Sequence, residues 1–129
     1  MPNPNLGTIL WTDLTIPNAE EVRDFYKAVA GWESSPVDMG GYNDFNMLPR
    51  GSDKPSAGVC HAVGVNKNIP PQWLIYVIVE NVEDSAAACG RLGGRVLVGP
   101  KDMGADRMCI IQDPAGAVMA LYQQGAVPA

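Results

Sequence analysis

The chain has 129 residues, 47% of them hydrophobic and 18% charged, which suits one compact domain with a buried core. Nine Lys and Arg against fourteen Asp and Glu leave a net charge of −5, with no basic face for a phosphate backbone, so nucleic acid is not an expected partner. No apolar run approaches the roughly 20 residues that span a bilayer, and "MPNPNLG" has neither a basic region nor an apolar stretch, so neither membrane nor export is expected and a cytoplasmic setting is.

Taken in chain order, the first element is a strand of aliphatic and β-branched residues, "WTDLTIP", followed by Asn18, a residue suited to capping a helix. Asn18 and Glu21 have capping-box spacing, and Val22, Phe25, Tyr26 and Val29 fall at i, i+3, i+4 and i+7, which predicts a helix with one apolar face ending near Gly31. Shorter runs divided by turn residues then read as three strands: "ESSPVDMG", "YNDFNMLPRG" and "AGVCHAVG". The turn-rich "GVNKNIPPQ", residues 64–72, reads as a linker.

The pattern then repeats. "VIVENVEDSAAACGRLGGR" from Val77 aligns without a gap on "LTIPNAEEVRDFYKAVAGW" from Leu14 at an offset of 77 − 14 = 63, matching Asn18 to Asn81, Glu21 to Asp84 and Gly31 to Gly94. Small residues Ala86 to Ala88, with Cys89 and Leu92, predict a second, closely packed helix, and "RVLVGPKDM", "RMCIIQDPAG" and "AVMALYQQ" complete a second set of strands. A lone βαβββ unit leaves its sheet face uncovered, so the reading is a single domain over 1–129. Its module one covers about 7–63 and its module two about 73–124.

The segments "WTDLTIPNAEEVRDFYKAVAGW" and "QDPAGAVMALYQ" resemble the vicinal oxygen chelate superfamily, which includes glyoxalase I, bleomycin-resistance proteins and extradiol dioxygenases. The resemblance covers roughly Gly7 to Gln124 and rests on scaffold features rather than a catalytic motif. It implies an α+β fold in which two βαβββ modules form one open, cupped mixed sheet around a cavity. In metal-using members His and Glu side chains from the first and last strands of the modules hold a divalent ion.

Those positions can be located here. The family's H-x-x-L-x-V, laid on Leu14 and Ile16, puts the first ligand at Trp11, and the repeat offset carries it to Leu74. The last-strand Glu, seven residues after the Asp of the DP-x-G turn, falls on Ala120; its counterpart in module one is Cys60 or His61, depending on register. Trp, Leu and Ala ligate nothing, a catalytic divalent site needs about three protein ligands, and Asp13 with His61 would supply only two. No metal and no other cofactor is expected.

Strand alternation turns Trp11, Asp13 and Thr15 away from the helix, and likewise Leu74 and Tyr76. The expected small-molecule cavity is lined by Trp11, Asp13, Leu74, Tyr76, Val118, Ala120 and Tyr122, with His61 as a further contact. Asp13, desolvated beside Trp11 and Tyr76, is the candidate general base for proton abstraction next to a carbonyl, with Tyr76 or Tyr122 giving the hydrogen bond to the oxyanion. Trp32 and Trp73 read as packing residues, and Cys60, Cys89 and Cys109 as reduced buried thiols without metal-site spacing.

Two functions fit these residues. One is a metal-independent lyase or isomerase acting on a small carbonyl or aromatic compound. The other is a non-catalytic protein that binds or sequesters a small molecule, as the bleomycin-resistance branch implies. A metal-dependent glyoxalase-like lyase is opposed by the residues, and pairing into a homodimer is compatible with the family.

Overall fold

The computed structural model describes residues 3–125 and follows the doubled order read from the sequence. β1 (Ile9–Ile16), α1 (Ala19–Val29), β2 (Glu33–Asp38), β3 (Asn43–Leu48) and β4 (Ala57–His61) form module one. β5 (Leu74–Ile78), α2 (Val82–Arg91), β6 (Arg95–Met103), β7 (Asp106–Gln112) and β8 (Val118–Gln123) form module two. The fold is α+β, and the strands of each module pair in a mixed parallel and antiparallel order. In module one the strands run β2-β3-β4-β1, with β1 and β4 parallel; in module two they run β6-β7-β8-β5, with β5 and β8 parallel.

The chain divides into two compact units. Trp11–Trp73 make one unit, so residues 64–72 travel with module one. Ile69 is buried there, a short 3₁₀ helix forms at Gly64–Asn66, and Trp73 sets its indole N–H 3.1 Å from the Tyr26 hydroxyl. Residues 3–10 belong with residues 74–125, because the Gly7 N–H donates to the Ile78 carbonyl at 2.8 Å and the Ile78 N–H to the Thr8 carbonyl at 2.9 Å.

Each helix packs on one face of its own module's strands. Leu14, Ile16, Phe45, Met47, Ala57 and Val59 pack with Ala19 and with partly buried Val22, Tyr26, Trp32 and Trp73. The two Trp rings are therefore packing residues, with centroids 5.8 Å apart. Only half of the predicted apolar stripe of α1 is used: Val22 and Tyr26 face the sheet, whereas Phe25 and Val29 are exposed. In module two Val82, Cys109 and Leu121 make the corresponding core, and Leu92 stands in solvent.

The helix ends refine the repeat. Asn81 caps α2 by accepting the Asp84 N–H at 3.0 Å, but Asn18 makes no such bond and instead donates its side-chain amide to Glu21. Gly31 takes the left-handed conformation just past α1, as its position suggests, with φ 73°. In α2 that role falls to Gly93, φ 94°, one residue earlier than the offset places it. Gly94 is required for a different reason: a Cβ there would lie 2.7 Å from both Cys89 Sγ and the Gln112 carbonyl oxygen.

Candidate functional site

Module one positions its site through β1 and β4. Asp13 pairs with Gly58 and Thr15 with Cys60, and alternation puts these four on the face opposite Leu14, Val59 and α1. Asp13 is 8% exposed and Thr15 6%, so a carboxylate and a hydroxyl are held side by side largely out of water. Trp11 lies across Gly58: a Cβ at residue 58 would meet Trp11 Cζ2 at 3.4 Å and Asp13 Cβ at 3.2 Å. The missing side chain is thus what lets the indole lie down beside the carboxylate.

Burial pushes the Cys60 thiol well above the usual range, and the negative charges of Asp13 and Asp44 push it further, so it stays protonated. Of Cys60 and His61, it is Cys60 that lies on the Asp13 face. His61 pairs with Ile16 and turns to the helix side, where Nε2 lies 3.0 Å from the Glu20 carboxylate of α1. As a contact on the Asp13 face, His61 is therefore misplaced by one strand residue.

Module two carries the remaining predicted residues on one face. Tyr76 is the register partner of Ala120 and Ile78 of Tyr122; Leu74, Tyr76 and Ala120 are buried, and Val118 pairs with Gln112 at the start of β8. The Tyr76 and Tyr122 rings meet edge to face with centroids 6.3 Å apart. Tyr122 is not a spare donor, because its hydroxyl donates to the Asp106 carboxylate, which also accepts the Gly125 N–H at 2.7 Å. Burial and that bond push its phenol up to about 12.

The pairing registers also locate the fourth inherited metal position. Asp13 and Tyr76 are equivalent by the repeat offset, so their partners Gly58 and Ala120 are equivalent too. The counterpart of Ala120 is therefore Gly58, neither Cys60 nor His61. The loop before it is three residues longer than in module two (58 − 51 against 120 − 116), which hid this in the sequence. A glycine inside a strand is nonetheless a signal of close approach that points to residue 58. Trp11, Gly58, Leu74 and Ala120 present an indole N–H and otherwise only carbon and hydrogen, so these residues do not fit a divalent ion. No group of three or more His, Cys, Asp or Glu among the described residues is arranged to hold one.

Known proteins are similar to this chain in sequence and fold. The model of a family described as "Glyoxalase-like domain" matches residues 11–122. CFP32 of Mycobacterium bovis, which carries a glyoxylase name, is 31% identical over 120 residues, covering 91% of this chain and 46% of that protein. The anthracycline biosynthesis protein DnrV of Streptomyces peucetius is 24% identical over 133 residues, covering 94% and 48%. The chain thus spans about half the length of the curated relatives it matches. A methylmalonyl-CoA epimerase solved with methylmalonyl-CoA superposes with a TM-score of 0.53 at 18% identity, over 96% of this chain and 99% of that one. The epimerase of Mycobacterium tuberculosis gives 0.50 at 15%, over 98% and 94%, and both show the shared fold. The chain belongs to the glyoxalase-like domain family, within the vicinal oxygen chelate superfamily.

Proposed function

We propose that this protein acts on a small carbonyl or aromatic compound without a metal ion, as a lyase or isomerase that uses Asp13 as its base. The observation that carries this reading is the buried Asp13 carboxylate beside the Trp11 indole, on a strand whose inherited metal position offers no ligand. The aromatic ring gives a planar substrate a surface to lie on, and the carboxylate takes a proton from the carbon next to a carbonyl while the electron pair moves onto the carbonyl oxygen. Thr15, two residues along the same face, offers a hydroxyl to that developing oxyanion. Return of the proton from Asp13 to a neighbouring carbon on the same face of the enediolate completes an isomerisation; departure of a neighbouring group, with its bonding electron pair, completes a lyase reaction. Three free cysteines accord with a cytoplasmic setting, where thiols stay reduced. Among the described residues no helix is long and apolar enough to cross a membrane.

The second reading, binding without turnover, draws on the same Trp11 surface. One experiment separates the two. A panel of 2-oxoaldehydes, suggested by the glyoxylase name of one relative, and planar aromatic carbonyl compounds, suggested by the anthracycline name of another, is assayed in excess chelator. Turnover by the parent chain and its loss in Asp13→Asn, with unchanged circular dichroism, is the expected result. Tight binding with no turnover selects the binding reading. Turnover that Asp13→Asn retains removes Asp13 from the mechanism.

A further inference from the structure

We propose that His61 is a proton-operated latch that fastens the first turn of α1 to the ends of β3 and β4. The imidazole lies between two carboxylates. Nδ1 is 3.1 Å from Asp44 Oδ1 on β3, and Nε2 is 3.0 Å from both oxygens of Glu20, in the first turn of α1. The His61 backbone N–H also donates to Asp44 Oδ1 at 2.9 Å, so Asp44 is tied to β4 whatever the ring does. Tyr42 from the β2–β3 turn and Phe45 from β3 stand against the ring, with centroids 5.2 and 6.3 Å away. Arg23, the cation of α1 nearest this cluster, sits 4.5 Å over the Phe45 ring and pairs with Asp24; from β4, Cys60 contributes a protonated thiol.

A neutral imidazole has one N–H, whereas both nitrogens here face carboxylate oxygens. Only the imidazolium donates to both. On losing a proton the ring must turn a lone pair toward one carboxylate, and the one free to leave is Glu20, whose side chain is 58% exposed against 12% for Asp44. Deprotonation therefore detaches α1 and leaves the bond to β3 in place. Burial alone would lower the His61 pKa, but the hydrogen bonds to Glu20 and Asp44 and their charges outweigh it and raise it. For a raised histidine the added stability is complete below the unfolded-state value of about 6.5 and is lost as pH rises through the higher folded-state value. The latch is closed while the imidazole holds both protons and opens as pH rises through its raised folded-state pKa.

His61 is the only histidine of the chain, so its imidazole resonances titrate without overlap. The test follows those resonances by NMR, together with amide exchange of residues 22–24, whose N–H groups close the first turn of α1 from Val22 onward, corrected for intrinsic base catalysis. The expected result is a pKa above 6.5 and a loss of first-turn protection of about two- to fivefold on crossing it, the span of a half-exposed ion pair. Glu20→Gln, a surface change checked by circular dichroism, should bring the pKa down and make first-turn protection independent of pH. Asp44→Asn should lower the pKa as well if it folds, and Glu20→Gln suffices if it does not. A pKa at or below 6.5 in the parent chain, protection that is equal on both sides of the titration, or a Glu20→Gln variant that titrates like the parent would overturn the latch.

Discussion

At the scale of single residues, Trp11 on β1 and Gly58 on β4 stand at the module-one positions that the superfamily resemblance assigns to metal-holding side chains, and neither can hold a metal. A Cβ at residue 58 would sit tightly at 3.2 Å from Asp13 Cβ and in contact at 3.4 Å with the Trp11 ring, which leaves little space for the further methyl groups of a branched side chain. Gly58→Val should therefore destabilise the chain by about 1–3 kcal/mol through overpacking, visible as a lowered midpoint in thermal unfolding. An unchanged midpoint would mean that the indole is not held against this strand. Asp13, Trp11 and Ala120 were legible in the sequence because strand alternation and a fixed spacing from the DP-x-G turn place them without knowledge of packing. Gly58 was not, because its register depends on a loop whose extra residues carry no pattern. Asp106 and Glu20 were missed for a related reason, as their partners Tyr122 and His61 lie 16 and 41 residues away and only the folded chain brings them together.

At the scale of elements, the two helices begin with the same residue and use it differently. Asn81 accepts the Asp84 N–H, one of the four orphan donors of the helix start, whereas Asn18 binds only the Glu21 side chain. Asn81→Ala should cost about 1 kcal/mol in urea unfolding, the usual value of a lost N-cap. Asn18→Ala should cost only a few tenths, as for a solvent-exposed side-chain pair. Equal losses would show that the caps are equivalent after all. The sequence could not separate them: both are Asn followed three residues later by an acid, and the difference lies in a backbone ψ of 55° at Asn18 against 113° at Asn81. Strand positions were more legible than helix faces. Alternation puts Leu14 and Ile16 on the helix side without ambiguity, but the i, i+3, i+4, i+7 pattern enrolled Phe25 and Val29, which the sheet does not reach.

At the scale of the whole molecule, duplication is what made the fold readable, since two weak patterns at one offset constrain each other more than either does alone. The equivalence of Asp13–Gly58 with Tyr76–Ala120 extends that symmetry from sequence to strand register. It also turns the metal question into a chemical one, because all four symmetry-related positions are known and none bears a ligand. The most direct test of this account is calorimetric titration of the chelator-treated chain with Mg²⁺, Mn²⁺ and Ni²⁺. No saturable uptake is expected from any of the three. Stoichiometric binding of one ion per chain that weakens when Trp11 or its neighbour Asp13 is replaced would contradict it.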